Sequence, residues 1–130
     1  MKFTIIYYDD DQELLFITKR ILTNKGFTVY CYSNTENILT DIENNQPNII
    51  LMDLSILPDG GAETLLKLQS KLIYQHIPVL FVSGNAYIAE ITKTSGASGY
   101  LEKPFTINDL LKMFKLVTGS HVTVEADMLL

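Results

Sequence analysis

TIIYYDDDQELL, residues 4–15, sets an apolar, β-branched and aromatic run directly against three consecutive carboxylates, Asp9, Asp10 and Asp11. The run reads as a strand buried on both faces. After it, Leu14, Leu15, Thr18, Ile21 and Leu22 form one stripe of an amphipathic helix that stops at Gly26. The acidic triplet is costly at such a place: like charges about 5 Å apart at an effective dielectric near 20 repel by ~3 kcal/mol per pair. A compensating positive charge is therefore expected at the end of this strand.

Working outward, the β-then-α pattern repeats. FTVYCY (27–32) is a second strand, and Ser33 with Glu36 has the spacing of a capping box ahead of Ile38, Leu39 and Ile42. Pro47 opens a third strand, NIILMD (48–53). The turn-rich LPDGG (57–61) leads to a helix with Leu65, Leu66 and Leu72 on one side. Pro78 introduces a fourth strand, VLFVSG (79–84). A weakly amphipathic helix from Tyr87 to about Ser95 is stopped by Gly96. GYLE (99–102) is a brief fifth strand, and Thr106 starts a last helix in which Ile107, Leu110, Leu111, Phe114 and Val117 keep helical spacing. Five mostly apolar strands alternating with five helices describe an α/β domain with a parallel sheet covered on both faces. Ligands of such sheets bind beyond the carboxyl ends of the strands. That rule selects Asp9, Asp10, Asp53, Ser83 and Lys103.

The totals narrow the function classes. The 130 residues are the size of one domain, and 47% hydrophobic residues suffice for an ordinary core. A net charge of −5 argues against a direct nucleic-acid partner, which would need clustered Lys and Arg. The single cysteine, Cys31, reads as a small core residue rather than a reactive thiol. Neither a signal peptide nor an apolar run of transmembrane length is visible, so a soluble, cytoplasmic protein with no membrane partner is expected.

Four segments in order, YYDDDQELL, NIILMDL, VLFVSG and GYLEKPF, resemble the receiver domains of two-component response regulators, and the resemblance covers residues 2 to about 118. It implies a flavodoxin-like, doubly wound (βα)5 fold with strand order 2-1-3-4-5, a receiver domain over residues 1–118, and residues 119–130 as a C-terminal tail or truncated linker. It implies Mg2+ held directly by Asp10 and Asp53, reached by Asp9 through water, and completed by the backbone carbonyl of Ser55. Asp53 becomes the phosphoacceptor, a carboxylate nucleophile assisted by Mg2+ and Lys103. Pro104 is a cis turn that aims Lys103 inward. Ser83 and Tyr100 become the switch pair: Ser83 donates a hydrogen bond to the phosphoryl group, and Tyr100 changes rotamer. The implied function is a phosphorylation-dependent signalling switch rather than a turnover enzyme. Its implied partners are a sensor histidine kinase or phosphotransfer protein, an output protein on the helix 4–strand 5–helix 5 face, and in some settings a second copy in a homodimer.

Other readings compete. Asp11 alone is most simply a helix N-cap. Asp9-x-Asp11 resembles the nucleophile motif of haloacid-dehalogenase-type phosphatases, but Glu13 stands where that motif has Thr or Val. A flavodoxin would need a phosphate cradle where three carboxylates stand. A pseudo-receiver that binds partners without phosphorylation is the main alternative, and the complete set Asp9, Asp10, Asp53, Ser83 and Lys103 argues against it. Two departures from the common receiver pattern are visible. Pro58 comes one residue later than usual, and the Ser83–Lys103 interval is short, with Gly84 in place of Ala. Gly84, Gly96 and the few apolar anchors between them mark residues 84–96 as the segment expected to be least stable. His76 and His121 have no partner that suggests a site.

Overall fold

The computed structural model describes residues 2–119. Its elements run β1 (Thr4–Tyr8), α1 (Gln12–Asn24), β2 (Thr28–Tyr32), α2 (Ile38–Asn45), β3 (Ile49–Asp53), α3 (Gly61–Gln69), β4 (Val79–Ser83), α4 (Ile88–Ser95), β5 (Gly99–Glu102) and α5 (Ile107–Thr118). All strands pair in parallel, in the order β2-β1-β3-β4-β5, as expected. Because successive strand residues point to opposite faces, each central strand supplies two cores. Ile5, Tyr7, Ile49, Leu51, Leu80, Val82 and Leu101 meet Leu15 and Leu22 of α1 and Leu110, Leu111 and Phe114 of α5. Ile6, Tyr8, Ile50, Met52, Val79 and Phe81 meet α2, α3 and α4 through Ile38, Ile42, Leu65, Leu68 and Ile88.

Helix α5 is the best-specified element. The Thr106 hydroxyl accepts from the Asp109 N–H at 3.0 Å and the Asp109 carboxylate accepts from the Thr106 N–H at 3.3 Å, a complete capping box. Each of Leu110, Leu111 and Phe114 gains roughly 1.5–3 kcal/mol from burial. Phe114 also meets Phe3 and Phe27 in an aromatic cluster with ring centroids 5.6–5.9 Å apart. The close approach of α5 to the sheet depends on Gly99, where a Cβ would lie 2.5 Å from the Met113 terminal methyl and 3.1 Å from Leu80.

Two local expectations are corrected. The Ser33–Glu36 capping box does not form. Asn34 Oδ1 instead accepts from the Glu36 N–H at 3.0 Å, and α2 begins after Asn37 with no side-chain cap. The stripe Leu65–Leu66–Leu72 is not the buried face of α3. The helix ends at Gln69 and buries Thr64, Leu65 and Leu68, while Leu72 falls in a separate 3-10 turn, Leu72–Tyr74. Leu66 and Leu72 are both exposed. Cys31 is half-buried, with its sulfur 3.8 Å from the Leu15 carbonyl, and burial pushes its thiol up to about 11, so it stays protonated. Among the described residues no helix is long and apolar enough to cross a membrane. Ser120 to Leu130, which include His121 and nearly all of the expected tail, lie outside the described residues.

Candidate functional site

The strand ladder runs one residue past the elements on the carboxyl edge of the sheet, and this fixes the site. The Asp9 N–H donates to the Tyr32 carbonyl at 3.1 Å, the Leu54 N–H to Val82 at 3.0 Å, and the Lys103 N–H to Ser83 at 2.9 Å. Asp9, Asp53 and Lys103 each lie two residues beyond a side chain of the α1/α5 core, namely Tyr7, Leu51 and Leu101. Strand alternation therefore directs all three to the same side of the sheet edge. Asp10, one residue out of phase with Asp9, is exposed, but a carboxylate oxygen from each of Asp9, Asp10 and Asp53 lies within 4.8 Å of the others.

Lys103 supplies the positive charge that the acidic triplet demands. Its Nζ lies 2.9 Å from Asp9 Oδ2 and 3.7 Å from Asp53 Oδ2. Burial alone would lower the lysine's pKa, but the hydrogen bond to Asp9 and the charges of Asp9, Asp53 and Asp11 outweigh it, and the ammonium is held more firmly than usual. Asp53 is buried, and that burial, followed by the charge of Asp9, pushes its carboxyl above the ordinary range against the opposing effects of Lys103 and Ser55. Three like charges around one cationic side chain leave an excess of negative charge. Oxygen donors of this kind suit a hard divalent cation such as Mg2+, which binds through one or two carboxylates and keeps several waters.

Asp11 is the N-cap of α1, as expected, accepting from the Leu14 N–H at 3.1 Å. Ser55 directs its N–H to Asp53 Oδ1 at 3.4 Å and its hydroxyl to Asp53 Oδ2 at 3.3 Å, so it supports the Asp53 carboxylate directly. Ser83 closes β4, and its Oγ accepts from the Asn85 N–H at 3.0 Å. Tyr100 is half-buried against the α2–α4 core. Two X-Pro bonds are cis, Lys103–Pro104 and Leu57–Pro58. The loop after Asp53 is tied to the loop before α2, where the Thr35 N–H and hydroxyl both donate to the Leu57 carbonyl, at 3.0 and 3.2 Å. Gly61 sits under this loop, and a Cβ there would be 3.1 Å from both the Asp53 carbonyl and the Leu54 Cα.

Two phenols of β1 sit inside the apolar strand run yet make polar contacts at or near the site. Tyr7 donates to Asp9 Oδ2 at 2.9 Å, and Tyr8, on the opposite face, donates to Asp41 Oδ2 of α2 at 2.8 Å. Burial, then the adjacent carboxylate, raises both phenols well above the ordinary tyrosine range, so both are donors at neutral pH. The spacing of Tyr7 and Asp9 was itself the signal, since residues i and i+2 of a strand share a face.

Comparison with known proteins agrees with this architecture. The family model for the response regulator receiver domain matches residues 5–115. The DNA-binding transcriptional regulator NtrC of Proteus hauseri is 27% identical over 109 residues, 82% of this chain but 23% of that protein. Across the curated relatives it matches, the chain spans about a fifth to three-fifths of their length. A response regulator from Chloroflexus aurantiacus superposes with a TM-score of 0.84 at 21% identity, covering 92% of this chain and 100% of that one. The receiver domain of a sensor histidine kinase from Pseudomonas aeruginosa PAO1, described with a magnesium ion coordinated in its active-site cleft, has a TM-score of 0.81 at 20% identity. That match covers 92% of this chain and 100% of its own. The chain belongs to the response regulator receiver domain family, the phosphorylation-dependent switch modules of two-component signalling.

Proposed function

We propose that the domain accepts a phosphoryl group on Asp53 from a sensor histidine kinase or a phosphotransfer protein. The observation that carries this reading is the convergence of the Asp9, Asp10 and Asp53 carboxylates within 4.8 Å, with Lys103 reaching both Asp9 and Asp53. One Asp53 oxygen attacks phosphorus, the bond from phosphorus to the donor breaks, and the donor leaves with that electron pair. Lys103 holds the transferred oxygens by charge. Asp10 and Asp53, with Asp9 through water and the Ser55 backbone carbonyl, would hold Mg2+, and the bound ion would neutralise charge on the phosphoryl oxygens. The magnesium described for the Pseudomonas aeruginosa receiver supports that assignment by analogy.

Ser83 and Tyr100 carry the consequence. A hydroxyl that accepts from the Asn85 N–H keeps its own proton to donate, and Ser83 turns it to the phosphoryl group. The loop after β4 follows, Tyr100 changes rotamer, and the face of α4, β5 and α5 becomes the surface read by an output protein. Pro104 holds the turn that presents Lys103. The receiver unit covers residues 1–118, with residues 119–130 as tail or linker. Intact-mass measurement tests the reading: the protein gains one phosphoryl group from acetyl phosphate in the presence of Mg2+, and Asp53→Ala does not. Equal modification of Asp53→Ala, or none of the native protein, overturns it, and the second result points to a phosphorylation-independent binding module.

A further inference from the structure

Tyr7 occupies a position that asks only for an apolar ring. It pairs in register with Cys31 and Leu51, has no exposed surface and lies within the α1/α5 core. Phenylalanine would fill the same space, so the hydroxyl needs its own explanation. That hydroxyl donates to Asp9 Oδ2 at 2.9 Å. Lys103 Nζ donates to the same oxygen at 2.9 Å, while Oδ1 accepts from the Asp11 N–H at 3.0 Å. Asp9 is fully buried, so bulk water does not replace a donor lost from Oδ2.

We propose that Tyr7 is a positioning residue of the phosphoryl-accepting site: it holds Asp9 by the oxygen shared with Lys103, so that Lys103 can turn to an anionic group on Asp53 without stripping that oxygen of donors. The inference rests on the phosphoacceptor reading above. In the resting site Lys103 stands nearer Asp9 than Asp53, at 2.9 against 3.7 Å. New anionic oxygens on Asp53 draw the ammonium away from Asp9. A buried carboxylate oxygen left without a donor is expensive, more so than the bond it lost was favourable. With Tyr7 present, the departure of Lys103 leaves one protein donor on Oδ2; without the phenol it leaves no protein donor there. Loss of the hydroxyl therefore penalises the phosphoryl-bound state selectively. In the resting state, and with Mg2+ alone, Lys103 still serves Oδ2.

The split between two binding steps is the test, read by calorimetric titration of the whole chain. Mg2+ is titrated first, then beryllofluoride, a phosphoryl mimic, at saturating Mg2+. For Tyr7→Phe we expect Mg2+ affinity within about twofold of the native protein and beryllofluoride affinity about tenfold weaker, the loss of one charge-assisted hydrogen bond. Tyr7→Leu, which also lacks the hydroxyl but repacks the core differently, is expected to show the same split; thermal melts confirm that each variant is folded. A beryllofluoride loss under threefold in Tyr7→Phe, an equal loss in the Mg2+ step, or a split confined to Tyr7→Leu overturns the inference while leaving the receiver reading intact. A native protein that binds neither ligand brings down the receiver reading and this inference together.

Discussion

Asp53→Asn should stabilise the metal-free domain, although it removes the proposed phosphoacceptor. The charge at position 53 has opposing neighbours. Its repulsion with buried Asp9, at 4.8 Å or less, is at least ~3.5 kcal/mol at an effective dielectric of 20, while the exposed Asp10 is screened towards the ~1 kcal/mol of bulk water. Its attraction to Lys103 at 3.7 Å is ~4.5 kcal/mol on the same scale. These nearly cancel, so the remainder is the desolvation of a buried carboxylate, which for real protein sites is several kcal/mol before its hydrogen bonds are counted. The Ser55 N–H and hydroxyl offset part of that cost, and at an Asn the N–H can still donate to the amide oxygen while the hydroxyl accepts from the amide NH2. The raised pKa of Asp53, caused first by burial and then by Asp9, has the same sign. We expect a gain of about 1–2 kcal/mol and a melting temperature several degrees higher, measured by thermal denaturation in chelator. Because the folded-state pKa lies above the unfolded value, the penalty from Asp53 is absent in acid and grows as pH rises through the folded pKa. The advantage of Asp53→Asn therefore shrinks as pH falls through the folded pKa and is lost below the unfolded value, ~4. Added Mg2+ should stabilise the native protein by mass action and the variant much less. A variant 1 kcal/mol or more less stable than native in chelator, or an equal gain from Mg2+ in both, refutes this account of the site.

Two further outcomes follow from other parts of the fold. Asp41 is held above the ordinary carboxylate range by burial, against the opposing hydrogen bond from Tyr8; Tyr8→Phe should therefore cost about 1–3 kcal/mol at pH 7. That cost should fade in acid, where Asp41 is protonated, and a pH-independent cost in urea denaturation would contradict the assignment. Residues 84–96 rest on few buried side chains, with Ile88 and Thr92 the buried members of α4, and the Thr92 hydroxyl buried without a hydrogen-bond partner. Amide exchange should be fastest in this segment in the resting protein and slow when Mg2+ and beryllofluoride are bound; equal, strong protection in both states would favour a preformed output face.

The order of strands and helices was legible because burial on both faces of a parallel sheet leaves unbroken apolar runs, as in Ile49–Met52, and because α1 and α5 keep helical spacing over their length. The site was legible because polar residues at the carboxyl ends of such runs have few other reasons to be there. Local choices between near-equivalent polar residues were not. Ser33 and Glu36 fit a capping box as a pattern, yet Asn34 makes the local bond and the helix starts later. Leu66 and Leu72 count as apolar in any periodicity, yet Leu66 lies on the outer side of α3, and the chain leaves the helix after Gln69, before Leu72. The Tyr8–Asp41 bond joins residues 33 positions apart, and periodicity within one element holds no information about such a pair.

Strand alternation also divides the labour of the domain. Asp9, Asp53 and Lys103 continue the parity of Tyr7, Leu51 and Leu101, on the α1/α5 side. Ser83 continues the parity of Val79 and Phe81, and Tyr100, in register with Phe81, packs on that same α2–α4 side. The proposed accepting groups and the proposed responding groups thus stand on opposite faces of one sheet, whose strand β4 is buried along its whole length. A phosphoryl group can influence both only at the sheet edge, where parity no longer constrains side chains and a hydroxyl can reach over the end of the strand. Ser83 is the last residue of β4 and its carbonyl already accepts from the Lys103 N–H. The backbone that carries the proposed switch hydroxyl is therefore bonded to the backbone that carries the site's cation. A phosphoryl group that draws both Ser83 and Lys103 therefore acts on two backbones joined by one hydrogen bond, and any binding free energy coupled between the two is reciprocal.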